Sequence, residues 1–317
     1  MKPVRKVAAR KSAPAEVEDS APALAKLGFF RGQYAWEANR EVLCLGASVR
    51  LLVDHSGGAV APEQLRALIR SHQKIFYSLL LRHSAAALQE VGREHKDLGA
   101  QLGLLAVLQT WTRDLRFHPH VHCVVPAGGL STDGLRWVRP KRDHYFLPQP
   151  VLARRFRNRL KEALAREHPE LFSHIPKNVW SKDWVADVQP VGSGEPALKY
   201  LAAYVYRTAF SAERIIADDG HHITFTYRDS QDRSIRALRL TAEQFLHRFL
   251  QHVLPKGFQR VRSYGWLSAA AKDRFERIRA LLDWKQPPPK QLDPLPLPKC
   301  PSCQKPMALL GRLPRPP

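Results

Sequence analysis

Acidic residues are scarce in this chain: 29 Asp and Glu stand against 50 Lys and Arg in 317 residues, a formal charge of +21. A surplus of that size concentrates polyanions at the surface, so phosphate-rich partners, nucleic acid above all, are expected rather than small acidic ligands. Cysteine is sparse too. Four residues, two of them in Cys300-Pro301-Ser302-Cys303, cannot form a disulfide framework, and a reducing, cytoplasmic compartment is expected. No apolar run reaches the ~18 residues of a membrane span. The basic start (Lys2, Arg5, Lys6, Arg10, Lys11) lacks the apolar block of a secretory signal. The phosphate-cradling loop of nucleotide-hydrolysing enzymes is missing, because Gly192-Ser193-Gly194-Glu195 is not followed by Gly-Lys-Ser/Thr. A His-Glu-x-x-His zinc helix is absent as well.

What is present divides into three regions. Residues 1–60 are basic; the first 25 or so are rich in Ala, Pro and charge and are expected to be disordered. Residues 61–285 carry the periodic patterns of a folded domain. Leu65, Leu68, Ile69, Ile75, Leu79 and Leu80 recur at helical spacing and predict a helix from Pro62 to about Glu94. The apolar run Gly103–Trp111 predicts a strand buried on both faces, and the stretch from Gly128 to Val138 a hairpin. Residues 148–168 predict a basic amphipathic helix (Arg154, Arg155, Arg157, Arg159, Lys161), facing either solvent or phosphate. Strands are expected at Ala47–Val53, Trp180–Val191 and Ile223–Arg228. Helices are expected at Pro196–Thr208, Ala242–Val253 and Lys272–Leu282. Residues 286–317 form a Pro-rich tail with one Cys-x-x-Cys.

The segment His118-Pro119-His120-Val121-His122-Cys123-Val124-Val125 holds the main chemical signal. Alternation on a strand sends His118, His120 and His122 to one face and Val121, Cys123 and Val125 to the other. Two neutral imidazoles fixed side by side are part of a shell for a divalent metal; the bland alternative is a strand with histidines on its wet face. On the helix after Pro196, Tyr200 and Tyr204 are four residues apart and share a face, as core aromatics commonly do. Beside a metal, however, two phenols suit stepwise phosphodiester transfer: one attacks the phosphate, the other accepts a second strand. Lys199 and Arg207 could lower a phenol pKa or neutralise the phosphate.

In this conjunction His120-Val121-His122 resembles the His-hydrophobic-His motif of HUH endonucleases, and Tyr200/Tyr204 resembles the tyrosine pair of rolling-circle transposases. The wording is closest to the two-tyrosine, IS-ninety-one-like insertion-sequence group, over roughly residues 64 to 307. Leu105–Trp111, His118–Gly129, Tyr200–Ser211, Phe249–Gly257 and Arg260–Leu267 support it in order. The resemblance implies an α+β domain whose central antiparallel sheet carries the His-x-His strand, flanked by helices. It implies a bacterial, nucleoid-associated transposase that cuts and joins single-stranded DNA at insertion-sequence ends and in targets. The link formed is a 5′-phosphotyrosine; Mg²⁺ or Mn²⁺ assists and no nucleotide is consumed. Tyr200 and Tyr204 are then catalytic and His120 and His122 metal ligands. Gln109, on the partner strand, is the candidate third ligand, with His118 next in line or contacting DNA alongside Lys199 and Arg207.

The match departs from the family at the start, where a cysteine-rich zinc module is usual and residues 1–60 hold only Cys44. Cys300 and Cys303 are half a zinc site by spacing, and without further ligands zinc is not expected there. Two rival readings stay open on sequence: a truncated DNA-binding remnant without cleavage, and a metal-dependent phosphodiesterase that uses water.

Overall fold

The computed structural model describes residues 47–52, 62–141, 146–181, 184–189, 209–229, 232–284 and 302–307. In chain order the elements are β1 (Ala47–Leu52), α1 (Pro62–Ser71), α2 (Gln73–Glu94), β2 (Ala100–Gln101), β3 (Gly103–Trp111) and β4 (Phe117–Val125). There follow β5 (Gly129–Ser131), β6 (Trp137–Val138), α3 (Gln149–Glu167), α4 (Pro169–Ser173), α5 (Asn178–Ser181) and β7 (Val185–Gln189). The C-terminal part adds β8 (Ile215–Asp218), β9 (His222–Arg228), β10 (Ile235–Thr241), α6 (Ala242–Leu250), β11 (Val261–Gly265) and α7 (Lys272–Leu281). The fold class is α+β, as expected.

The main sheet runs β11-β3-β4-β1-β7, antiparallel at every pairing, with the His-x-His strand β4 at its centre. Val121, Cys123 and Val125 form its fully buried apolar row, joined by Leu104, Ala106 and Leu108 of β3. Across that face lie Tyr77, Leu80, Leu81, Ala85 and Leu88 of α2, and Leu152, Phe156, Leu160 and Leu164 of α3. Each large side chain removed from water there contributes about 1.5–3 kcal/mol. The continuous apolar run of β3 is thereby explained: its residues are buried on both faces from Gly103 to Thr110. Two small antiparallel sheets, β10-β9-β8 and β2-β5-β6, complete the described strands. Leu115, Phe225, Leu240 and Phe245 make a second core between the β3–β4 hairpin tip and β8–β10 with α6.

Three expectations need correction. The helix over Pro62–Glu94 is two helices, broken at His72, whose backbone leaves the helical region (φ −128°, ψ 45°) while its ring bonds the Leu68 carbonyl. Trp180 belongs to the short helix α5 and not to a strand; it stacks on Phe172 and Trp184, and β7 begins only at Val185. The basic face of α3 is partly spent on internal pairing. Arg155 bonds Glu90 (3.0 Å) and Glu94 (2.7 Å) of α2, and Arg159 also pairs with Glu90. The expected N-terminal disorder, the helix Pro196–Thr208, Cys300 and most of the Pro-rich tail lie outside the described residues.

Candidate metal and nucleic-acid site

β4 is a strand because Val121, Val124 and Val125 favour a pleated, buried surface, and its central place leaves the histidines little freedom. The face opposite the apolar row is not wet: His120 and His122 are only 6% and 4% exposed. Their rings stand edge to face with centroids 4.8 Å apart, and the His118 ring follows at 5.4 Å from His120.

His120 Nδ1 lies 2.7 Å from the His118 carbonyl oxygen. A carbonyl only accepts, so Nδ1 carries the proton and, in the neutral ring, Nε2 presents a lone pair. That Nε2 faces His122 Nε2 at 3.0 Å. Two nitrogens held at ~2.1 Å in adjacent octahedral positions would be about 3.0 Å apart, so the spacing accommodates one bridging cation.

The ladder places Gln109 of β3 directly opposite His120, on the same face and 4% exposed. Its Nε2 is buried with no hydrogen-bond partner. Rotating the amide by half a turn would put a neutral oxygen in that place, a donor suited to Mg²⁺ or Mn²⁺. The set of two imidazoles and one amide oxygen therefore fits a hard-to-intermediate divalent ion. Among the described residues, no group of three or more His, Cys, Asp or Glu side chains is arranged to hold a metal. His118 thus adds a ring to the row and its carbonyl to the tautomer lock.

Just beyond Gln109 the register shifts: Gln109 pairs with His120 but Trp111 with Phe117, so Thr110 faces both His118 and Pro119. Pro119 has no N–H to give to the ladder, which is why the bulge falls here. A residue that sequence reasoning missed secures it. His252 accepts from the Thr110 hydroxyl at Nδ1 (3.2 Å) and donates from Nε2 to the Leu115 carbonyl (3.3 Å). Its ring stacks on Phe117 and meets Trp111 edge-on, and burial pushes its pKa down to about 4. The only hint in sequence was its place within the family-like stretch Phe249–Gly257. Leu115 itself sits at φ 63°, a conformation costly for a branched side chain and held by its full burial.

Around this hairpin tip the guanidiniums gather. Arg214 bonds the Arg113 carbonyl (2.5 Å) and Arg248 the Asp114 carbonyl (3.2 Å), while Arg260 lies over Trp111 and Arg70 over Phe117. Arginine interleaved with aromatic rings is the composition of single-strand nucleic-acid surfaces. Tyr200, Tyr204, Lys199 and Arg207 lie outside the described residues. Cys303 is an exposed free thiol.

A family model described as "Putative transposase" matches residues 103–274, the span that carries β3, β4, the bulge and His252. The chain belongs to this transposase family. Among curated proteins it is 33% identical over 250 residues to "Putative transposase y4qJ" of Sinorhizobium fredii, a match covering 73% of this chain and 62% of that protein. It is 27% identical over 200 residues to the transposase for insertion sequence element IS801 of Pseudomonas savastanoi pv. phaseolicola, covering 55% of this chain and 45% of the other. The chain thus spans less than two thirds of either relative's length. No solved structure matches. No helix among the described residues is long and apolar enough to cross a membrane.

Proposed function

We propose that this family member is an insertion-sequence transposase that cuts and joins single-stranded DNA through a 5′-phosphotyrosine link, in rolling-circle fashion. The observation that carries the reading is the 3.0 Å approach of the His120 and His122 Nε2 atoms on a buried strand face, with Gln109 directly across the ladder. The names of the relatives support transposition of an insertion sequence. The chain's charge supports a polyanionic partner.

His120, His122 and Gln109 would hold Mg²⁺ or Mn²⁺, which when bound supplies charge stabilisation at a phosphate oxygen. His118 keeps His120 in the tautomer that leaves Nε2 available. Tyr200 or Tyr204 loses its phenolic proton and attacks the scissile phosphorus. The O–P bond to tyrosine forms as the bond to the 3′ oxygen breaks, and that oxygen leaves and takes a proton. A 3′-hydroxyl of the receiving strand later reverses these steps, so bond energy is kept and no nucleotide is needed. Lys199 and Arg207 would neutralise phosphate charge, and the arginines at the hairpin tip would track the strand.

The test incubates the protein with Mn²⁺ and labelled single-stranded oligonucleotides carrying insertion-sequence ends of its relatives. A covalent adduct on a denaturing gel, lost in the Tyr200→Phe/Tyr204→Phe double variant, is expected. Cleavage without adduct would instead identify a hydrolytic phosphodiesterase, and retention without cleavage a binding remnant.

A further inference from the structure

On the far side of the main sheet from His120 and His122, α2, α3, β11 and α7 border a cavity of about 440 Å³. The alternation of the strands fixes the separation. β11 pairs Tyr264 with Leu104, and Leu104 belongs to the core under α2, whereas the histidines point away from that core.

Four guanidiniums line the cavity, those of Arg82, Arg93, Arg159 and Arg274, against the single carboxylate of Glu90. Arg159 is occupied by Glu90, and Arg82 by Glu167 outside the cavity. Arg93 and Arg274 are exposed, and neither has an ion pair or hydrogen bond among the described residues. Two uncompensated guanidiniums therefore converge on one concave surface.

The floor carries only small or internally tied side chains. Ala85 and Ala86 offer only methyl groups, and Gly265 offers none. Gly265 has φ +63°, and a Cβ there would fall against the Leu102 carbonyl. Gln89 cannot reach outward, because its amide bonds both the N–H and the carbonyl of Leu102. Tyr264, half-buried, also lines the cavity.

We propose that this groove is a second phosphodiester-binding site, holding a segment of nucleic-acid backbone on the sheet face opposite the histidines, with Arg93 and Arg274 as its phosphate contacts. The proposal rests on the reading that the protein handles DNA, and adds a separate place for a strand other than the one at the histidines. Guanidinium forks match phosphate oxygens in pairs, and the small-residue floor admits the chain between them.

The experiment measures anisotropy of a fluorescein-labelled single-stranded oligonucleotide with the full chain over a series of salt concentrations. The Arg93→Ser/Arg274→Ser variant is expected to bind about tenfold more weakly, with a salt slope shallower by about 1.4, for two lost single-strand phosphate contacts. Arg154→Ser/Lys161→Ser removes the same charge from exposed positions of α3 outside the groove and is expected to cost far less. Equal losses in the two variants, or no loss in the first, would overturn the proposal. So would a loss confined to competition by inorganic phosphate, which would mark a free-anion site. Circular dichroism checks that both variants fold. Because binding is read without cleavage, and is expected to persist in His120→Ala/His122→Ala, a missing tyrosine adduct and a missing groove are distinct results.

Discussion

Gln109 stands directly opposite His120 across the β3–β4 ladder, one residue before the register breaks at Thr110. Cross-strand neighbours of this kind keep their Cβ atoms about 4.5–5.5 Å apart. The proposed ligand set is therefore held by two adjacent central strands rather than by a loop, which limits how far its members can drift.

This geometry predicts a graded response to substitution. His120→Ala/His122→Ala should abolish Mn²⁺ binding in calorimetry, while Gln109→Ala should weaken it by about tenfold. Circular dichroism should be unchanged in each. Unaltered Mn²⁺ affinity in the double histidine variant would remove the metal from the mechanism.

One buried hydroxyl ties β3 to His252 beside the hairpin tip. Thr110→Val keeps the side chain's shape but leaves His252 Nδ1 without its donor, at a cost of about 1–3 kcal/mol in urea denaturation. Thr110→Ser should recover most of that. A Thr110→Val protein as stable as the parent would show that the Thr110–His252 contact holds nothing in place.

His83 predicts a pH dependence of stability. Burial, with Arg82 and Arg159 adding repulsion, lowers its pKa to about 4; Arg166 acts in the same direction and Glu167 in the opposite one. Between about pH 6.5 and pH 4 the unfolded chain takes up a proton that the folded chain refuses. Stability from this group is thus complete above the upper value and declines as pH falls toward the lower one. His83→Leu should reduce the slope of unfolding free energy against pH in that window by up to one proton. A slope identical to wild type would contradict the assignment.

The thiols should differ sharply. Cys123 is fully buried and burial raises its pKa far above the ordinary range, whereas Cys303 is exposed. A thiol reagent at pH 8 should label Cys303 in the native protein and reach Cys123 only after unfolding. Native labelling of Cys123, read by mass spectrometry of the peptides, would show that the α2–sheet interface opens readily.

Much of this arrangement was legible beforehand where the pattern was long and periodic. The two faces of β4 follow from alternation alone, and the Pro119 irregularity follows from its missing N–H. What escaped were breaks and long-range partners. The helix end at His72 has no proline or glycine to announce it. Trp180 reads as strand by composition, yet stacking between Phe172 and Trp184 assigns it to a helix. A run of arginines looks the same whether it faces phosphate or, as Arg155 and Arg159 do, the carboxylates of α2.

By itself, then, the order of residues determined the His-x-His strand and the family resemblance, and through that resemblance the expectation of an α+β class, because alternation and motifs are local properties of the chain. Only the tertiary structure decided that His120 and His122 are buried with their Nε2 atoms 3.0 Å apart, that Gln109 stands opposite His120 in the ladder, and that His252 pins the bulge from 142 positions away. Register and burial arise from contacts between segments distant in sequence. No local pattern encodes which side chain a strand will find opposite it.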